Sequence, residues 1–329
     1  MIAAPSIEDI RRLQETIGSA VYRTPLLRCT GLEDLLAPAT EIFGKLEFLQ
    51  RTGTFKARGA LASVSTLTVE QKKAGITAVS AGNHAIATAY AAQTAGISAK
   101  VVMVRSANPA RIAACRRFGA EIVQVDTVHE AFSLAGQIER QEGRFLVHPF
   151  EGPAVATGTG MIGLEIHEQC PDFDALVVSV GGGGLIGGVA SAVRQLRPGC
   201  EIIGVEPEGA DSMRRSFAAG RPQAIESVRT IADSLGAPYA LPYSFKLCRD
   251  NVDQLVTVSD EQIREAMGIL YHAVKIAVEP ACAATTAAVL GPLRERLRGR
   301  KCVLVMCGSN IDWPTFATQA ILRDAYAAG

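Results

Sequence analysis

The chain of 329 residues is 48% hydrophobic and 20% charged, enough to bury sizeable cores in two domains or one large one. Thirty-three basic residues balance thirty-three acidic ones without a run of five like charges, so neither nucleic acid nor an anionic membrane is an expected partner, and a small molecule is. The eight cysteines are scattered, with no C-x-x-C pair and no histidines at zinc spacing, which argues against a disulfide framework and a structural zinc site.

Residues 1–6 lack a basic segment followed by an apolar one, and the longest apolar stretches fall short of the ~20 residues a spanning helix needs. A cytoplasmic protein is the expectation. Ser6 caps a first helix in which Ile10, Leu13 and Ile17 recur at helical spacing, and residues 24–27 are extended. Residues 41–47 alternate as a strand, and 48–54 loop into an Ala-rich helix that begins at Lys56.

From Gly75 onward short β-rich runs alternate with Ala-rich helices: strands at 77–79, 100–104, 121–125 and 144–147, helices at 84–95, 109–118 and 128–141. That is the rhythm of a parallel sheet, and it sets off a smaller α/β unit at 67–148. A second series follows, with helix 154–170, strand 175–180, a tetraglycine loop, helix 186–196, and strands 201–205 and 254–258. Helices 260–274 and 281–298, strand 301–306 and a last helix over 313–325 complete it. The fold class read from this pattern is α/β, with two doubly wound, mostly parallel-sheet domains, the larger made of 1–66 and 149–329.

Gly181-Gly182-Gly183-Gly184-Leu185-Ile186-Gly187-Gly188 follows a buried strand and opens a helix. Glycines there let backbone N–H groups close on an anion beside the positive helix end, so the run reads as a phosphate cradle. Gly182-x-Gly184-x-x-Gly187 also satisfies the dinucleotide fingerprint, and Glu206 ends the next strand at ribose-binding distance. A nicotinamide-dependent oxidoreductase is therefore an alternative, although it leaves other strand-end loops unexplained.

Ser80-Ala81-Gly82-Asn83-His84 is one such loop, where main-chain donors and the Ser80 hydroxyl suit a carboxylate and the Asn83 amide can donate to a phenolate oxygen. Cys307-Gly308-Ser309-Asn310 is another, and Glu279 is a carboxylate in an apolar setting, more often structural than catalytic. Three loops at carboxyl ends of strands plus a lysine, Lys56, between a turn and a helix start are the expected layout of a site on an open α/β sheet. Lys56 reads as an amine that binds an electrophile.

Thr54-Phe55-Lys56-Ala57-Arg58-Gly59-Ala60, Ser80 to His84, the glycine run and Cys307 to Asn310 together resemble, in collinear order, the four blocks of the fold-type II pyridoxal-phosphate enzymes. Within these, the chain looks like the serine/threonine dehydratase (ammonia-lyase) and serine racemase group, over roughly residues 5 to 312. The resemblance implies a tryptophan synthase β-like fold, a homodimer and pyridoxal 5'-phosphate held by Lys56 as a Schiff base. Phe55 would pack at the ring, Asn83 would meet the ring hydroxyl oxygen, Gly181, Gly182, Gly183, Gly184 and Leu185 the phosphate, and Cys307 the pyridine nitrogen. Ser80, Ala81 and His84 would line the substrate carboxylate pocket.

Ala81 stands where racemase-like relatives carry a second serine able to protonate the opposite face, so elimination is expected over racemisation. The positions resembling that group's cation site are Glu206, Ala210 and Ser212; Ser212 brings no carboxylate, although Glu208 and Asp211 are neighbours. The implied reaction is dehydration and deamination of a 3-hydroxy amino acid such as threonine or serine, with Lys56 as base and Cys307 giving a weaker electron sink than a carboxylate would. Racemisation by the same machinery and a non-catalytic amino-acid sensor are the other readings. The side-chain pocket is expected from Asp233-Ser234-Leu235-Gly236 and the loop 149–153.

Overall fold

Ser6 opens α1 (Ile7–Ile17) by accepting from the Asp9 amide while the Asp9 carboxylate reaches back to the Ser6 amide, a reciprocal cap. The structure, a computed structural model, describes residues 3–322. After α1 come β1 (Leu26–Arg28), α2 (Thr30–Glu33), β2 (Glu41–Lys45), α3 (Lys56–Ser65) and α4 (Val69–Ala74). Then β3 (Ile76–Val79), α5 (Asn83–Ala95), β4 (Ala99–Val104), α6 (Pro109–Arg117), β5 (Glu121–Val125), α7 (Val128–Glu142) and β6 (Phe145–Leu146) alternate. The remainder is α8 (Pro153–Gln169), β7 (Ala175–Ser179), α9 (Gly184–Leu196), β8 (Glu201–Pro207), α10 (Ser212–Ala219), α11 (Pro242–Asn251), β9 (Gln254–Val258), α12 (Asp260–Ile269), α13 (Pro280–Leu290), β10 (Lys301–Val305) and α14 (Trp313–Gln319).

Two sheets form. The smaller has the order β5-β4-β3-β6 with every pair parallel. The larger has the order β1-β2-β10-β7-β8-β9, parallel throughout except for β1, which runs antiparallel on β2. A parallel sheet is covered on both faces, which explains why β7 is buried at every position and reads as a continuous apolar run rather than an alternating one. Parallel pairing also gathers the loops after β3, β7 and β10 at carboxyl edges, where open α/β sheets take their ligands.

The start of α3 is fixed by buried charge. Arg58 is fully buried; its Nε and Nη2 donate to Glu47 at 2.9 and 2.9 Å and its Nη1 donates to Glu165 Oε1 at 2.7 Å. Lys45 Nζ donates to the other oxygen of Glu165 at 2.6 Å. Two cations thus face two carboxylates with their hydrogen bonds made, the condition under which buried charge is tolerated.

Several elements differ from the sequence expectation. The helix expected over 281–298 ends at Leu290, because Pro292 disfavours the helical conformation at Gly291, which sits at φ −112°, ψ −109°. The helix expected over 260–274 is α-helical only to Ile269 and closes with a wider π turn, Leu270–Val274, that ends on Lys275 at φ 65°. The last helix runs Trp313–Gln319, and the part expected beyond residue 322 lies outside the described residues. α2, α4, α10 and α11 were not anticipated, although Thr68 and Gln71 form a capping box that announces α4. Among the described residues no helix is long and apolar enough to cross a membrane.

Candidate active site

Lys56 sits at the first position of α3, and the chain reaches it through two left-handed residues, Thr52 at φ 70° and Gly53 at φ 74°. Thr52 is β-branched, so this turn is held from outside: Asn310 Nδ2 donates to Thr52 O at 2.8 Å, Ser309 N to Gly53 O at 3.1 Å, and Phe55 N to Cys307 O at 3.1 Å. The loop after β10 therefore sets the approach of the lysine.

Lys56 Nζ lies in a cavity of 560 Å³ that opens between the carboxyl edges of the two sheets. It donates to Pro149 O at 2.5 Å and stands 5.0 Å from the Phe55 ring centre. Burial pulls its amine down from 10.5 to about 8, so a useful fraction is neutral near physiological pH.

Gly181 to Gly184 and Leu185 line the same cavity at the first turn of α9, whose leading N–H groups have no acceptor inside the helix. Gly183 adopts φ 89°, and a Cβ on Gly184 would lie 2.5 Å from the Phe150 carbonyl oxygen, so side chains are excluded here by the close passage of the 149–153 loop.

From the loop after β3, Ser80, Ala81, Asn83 and His84 all reach the cavity. Asn83 is held on three sides. Its Nδ2 donates to Glu279 Oε1 at 2.8 Å and Ser234 Oγ at 3.1 Å, and its Oδ1 accepts from Asn310 Nδ2 at 2.9 Å. Glu279 also accepts from the Asn310 amide at 3.2 Å; burial raises its carboxyl pKa, and hydrogen bonding by Asn83 partly offsets the rise. The Cys282 thiol and burial hold the Cys307 thiol well above its ordinary range, so it faces the cavity protonated.

Two histidines complete the floor. His84 Nε2 meets the Val147 carbonyl at 2.8 Å, which places its proton on Nε2 and leaves Nδ1 bare; burial and Lys56 lower it to about 3. It lines the cavity as a neutral ring. His148 Nδ1 accepts from the amides of Phe150 and Glu151 at 3.2 and 2.9 Å, and burial followed by Lys56 lowers it to about 4. Sequence reasoning missed His148 and Arg111; the former closes a fourth strand, β6, and so obeys the strand-end rule that found the others.

Glu206 is not where the dinucleotide reading needs it. Its carboxylate is buried and accepts from the amides of Met213 and Arg214 at 2.8 and 2.8 Å, capping α10 instead of facing the cavity. Burial lifts it to about 8 despite those two donors. Ala210 is buried nearby, Ser212 Oγ donates to Ala237 O at 3.1 Å, and Asp211 pairs with Arg214 and Arg215 at 2.7 and 2.7 Å. Among the described residues no group of three or more His, Cys, Asp or Glu side chains is arranged to hold a metal ion.

Residues 17–308 match the family model of the pyridoxal-phosphate dependent enzymes. The chain is 49% identical to a phenylserine dehydratase of Ralstonia pickettii, over 95% of this chain and 95% of that one. It is 40% identical to an L-threonine ammonia-lyase of Thermotoga maritima, over 93% of this chain and 76% of that protein. The solved structure of maize serine racemase superposes with a TM-score of 0.91 at 34% identity, covering 96% of this chain and 97% of that one. With a match of this extent and these relatives along nearly its whole length, the chain belongs to the pyridoxal-phosphate dependent enzymes, in the fold-type II dehydratase and racemase group.

Proposed function

We propose that the protein eliminates water from 3-hydroxy amino acids to give a 2-oxo acid and ammonia, with preference for an aromatic group on the β-carbon. The observation that carries the elimination is the placement of the Lys56 amine in one cavity with a glycine cradle, the Asn83 amide and the Cys307 thiol. These residues fit pyridoxal phosphate: a side-chain-free helix start for a dianionic phosphate, a depressed lysine for the aldehyde, and an Asn83 amide whose longer bond to Ser234 Oγ would give way to the ring oxygen. When bound, the cofactor supplies the electron sink that acidifies the substrate Cα–H.

The chain's own groups supply the rest. Lys56 Nζ would hold the cofactor aldehyde and, as a free amine, would be the base that takes the Cα proton. Ser80 and the amides of the loop after β3 hold the substrate carboxylate. Ala81 carries no acidic proton to return to the opposite face of Cα, which disfavours racemisation. Cys307, a protonated thiol, carries no negative charge with which to hold a proton on the ring nitrogen, which favours prompt elimination over a long-lived carbanion.

The aromatic preference is supported by the cavity mouth. Val128 and Phe132 of α7 are 61% and 51% exposed, Val228 is 37% exposed, and all three line the cavity together with the rings of Phe150 and Tyr239. Such apolar side chains at an opening suit a bulky apolar substituent better than the methyl of threonine. The similarity to a phenylserine dehydratase agrees. Ammonia and 2-oxo-acid release across serine, threonine, 3-hydroxyaspartate and 3-phenylserine tests this: phenylserine should have the highest kcat/KM, and a preference for threonine or serine would contradict it.

A further inference from the structure

The geometry points to Asp233 as a specificity-determining residue: by ion-pairing Arg111 across the cavity mouth it denies a second substrate carboxylate the cation it would need. This deepens the functional proposal above and rests on it.

Among the described residues, the charged side chains lining the cavity are Lys56, Arg111, Asp233 and Glu279. Lys56 is the base, and Glu279 is spent on Asn83 and the Asn310 amide. Arg111 is therefore the cation left to meet an acidic β-substituent. Its position suits that role, since a Cβ on Gly82, in the loop assigned to the substrate carboxylate, would lie 3.4 Å from Arg111 Nη1.

Arg111 is not free. Its Nη1 donates to Asp233 Oδ2 at 2.5 Å and its Nη2 to Asn310 O at 3.4 Å. Arg111 belongs to α6, beside the smaller sheet, whereas Asp233 opens a short 3-10 turn, Asp233–Leu235, in the chain that packs on the larger one. That turn touches the reacting region, because Ser234 Oγ accepts from Asn83 Nδ2 at 3.1 Å. The Arg111 side chain is 17% exposed and that of Asp233 is 56% exposed, so the negative partner faces whatever enters. An aromatic substituent passes the closed ion pair at no electrostatic cost, but a carboxylate meets repulsion from Asp233 and a guanidinium whose charge Asp233 already offsets.

The test compares kcat/KM for 3-phenylserine and 3-hydroxyaspartate in the wild-type holoenzyme, Asp233→Asn, and Asp233→Asn combined with Arg111→Met. Asp233→Asn should raise the hydroxyaspartate-to-phenylserine ratio at least tenfold, mainly through a lower KM for hydroxyaspartate, and added salt should erode the gain. Arg111→Met should abolish it. An unchanged ratio in Asp233→Asn, with both substrates slowed alike, would overturn the proposal, as would a gain that survives Arg111→Met. Should Asp233→Asn fold poorly, Asp233→Ser serves the same comparison. Because the ratio is read against the wild type, a wild-type enzyme that fails to prefer phenylserine defeats the functional proposal while leaving the ratio test intact.

Discussion

Asn83 Nδ2 and Glu279 Oε1 lie 2.8 Å apart although 196 residues separate them in the chain. The contact ties the loop after β3 in the smaller sheet to the residue that precedes α13 in the larger unit, and it turns a lone amide into a positioned donor. Glu279→Ala should release Asn83 and weaken cofactor binding about tenfold, the equivalent of one good hydrogen bond's worth of placement. Glu279→Gln, which can still accept from Asn83, should lose less. Titration of the apoprotein with pyridoxal phosphate, followed by visible absorption, separates the two variants.

The depressed Lys56 amine makes cofactor capture pH-dependent. The neutral fraction rises about tenfold per unit below the pKa and levels above it, so capture of the aldehyde by apoprotein should climb up to about pH 8 and then flatten. The sign for stability follows from the same shift. Between pH 8 and 10.5 the unfolded chain holds a proton that the folded chain has lost, so apoprotein stability from this group should rise across that window. Borohydride trapping after mixing reads the first effect and urea unfolding the second; capture that stays flat from pH 6 to 9 would contradict the assignment.

Ala81→Ser should restore a proton source opposite Lys56. We expect appearance of the Cα epimer, or deuterium at Cα in heavy water, on the order of 10²-fold above the wild type, with elimination slowed. Chiral chromatography of recovered substrate measures it, and no increase would show that Ala81 does not face the Cα.

Arg58→Ala should leave the carboxylates of Glu47 and Glu165 buried against Lys45 alone. Loss of about 3–5 kcal/mol in unfolding free energy is expected, because a broken buried pair strands its partner. Equilibrium urea unfolding checks the magnitude, and a loss below about 1 kcal/mol would mean the network is solvated.

Much of this layout was legible in the sequence because backbone chemistry leaves marks. Gly182 and Gly184 are demanded by the passage of Phe150, Gly181 by the Leu235 backbone and Gly183 by its φ of 89°, and the β/α rhythm of 75–147 produced the smaller sheet nearly strand for strand. What stayed hidden were pairings between distant residues. No local pattern says that Glu206 caps α10, that Glu279 holds Asn83, or that Arg111 meets Asp233 across 122 residues of chain. Helix ends were misplaced where a single residue decided, as at Gly291 ahead of Pro292, and His148 was passed over although it follows the strand expected at 144–147.

The central claim is that Lys56 is both the anchor of the cofactor and the base of the elimination. Lys56→Ala, purified with pyridoxal phosphate present and assayed for ammonia and 2-oxo acid from 3-phenylserine and threonine, tests it most directly. The account predicts loss of the visible absorption of the lysine-bound cofactor and of turnover together; turnover retained without that absorption would contradict it.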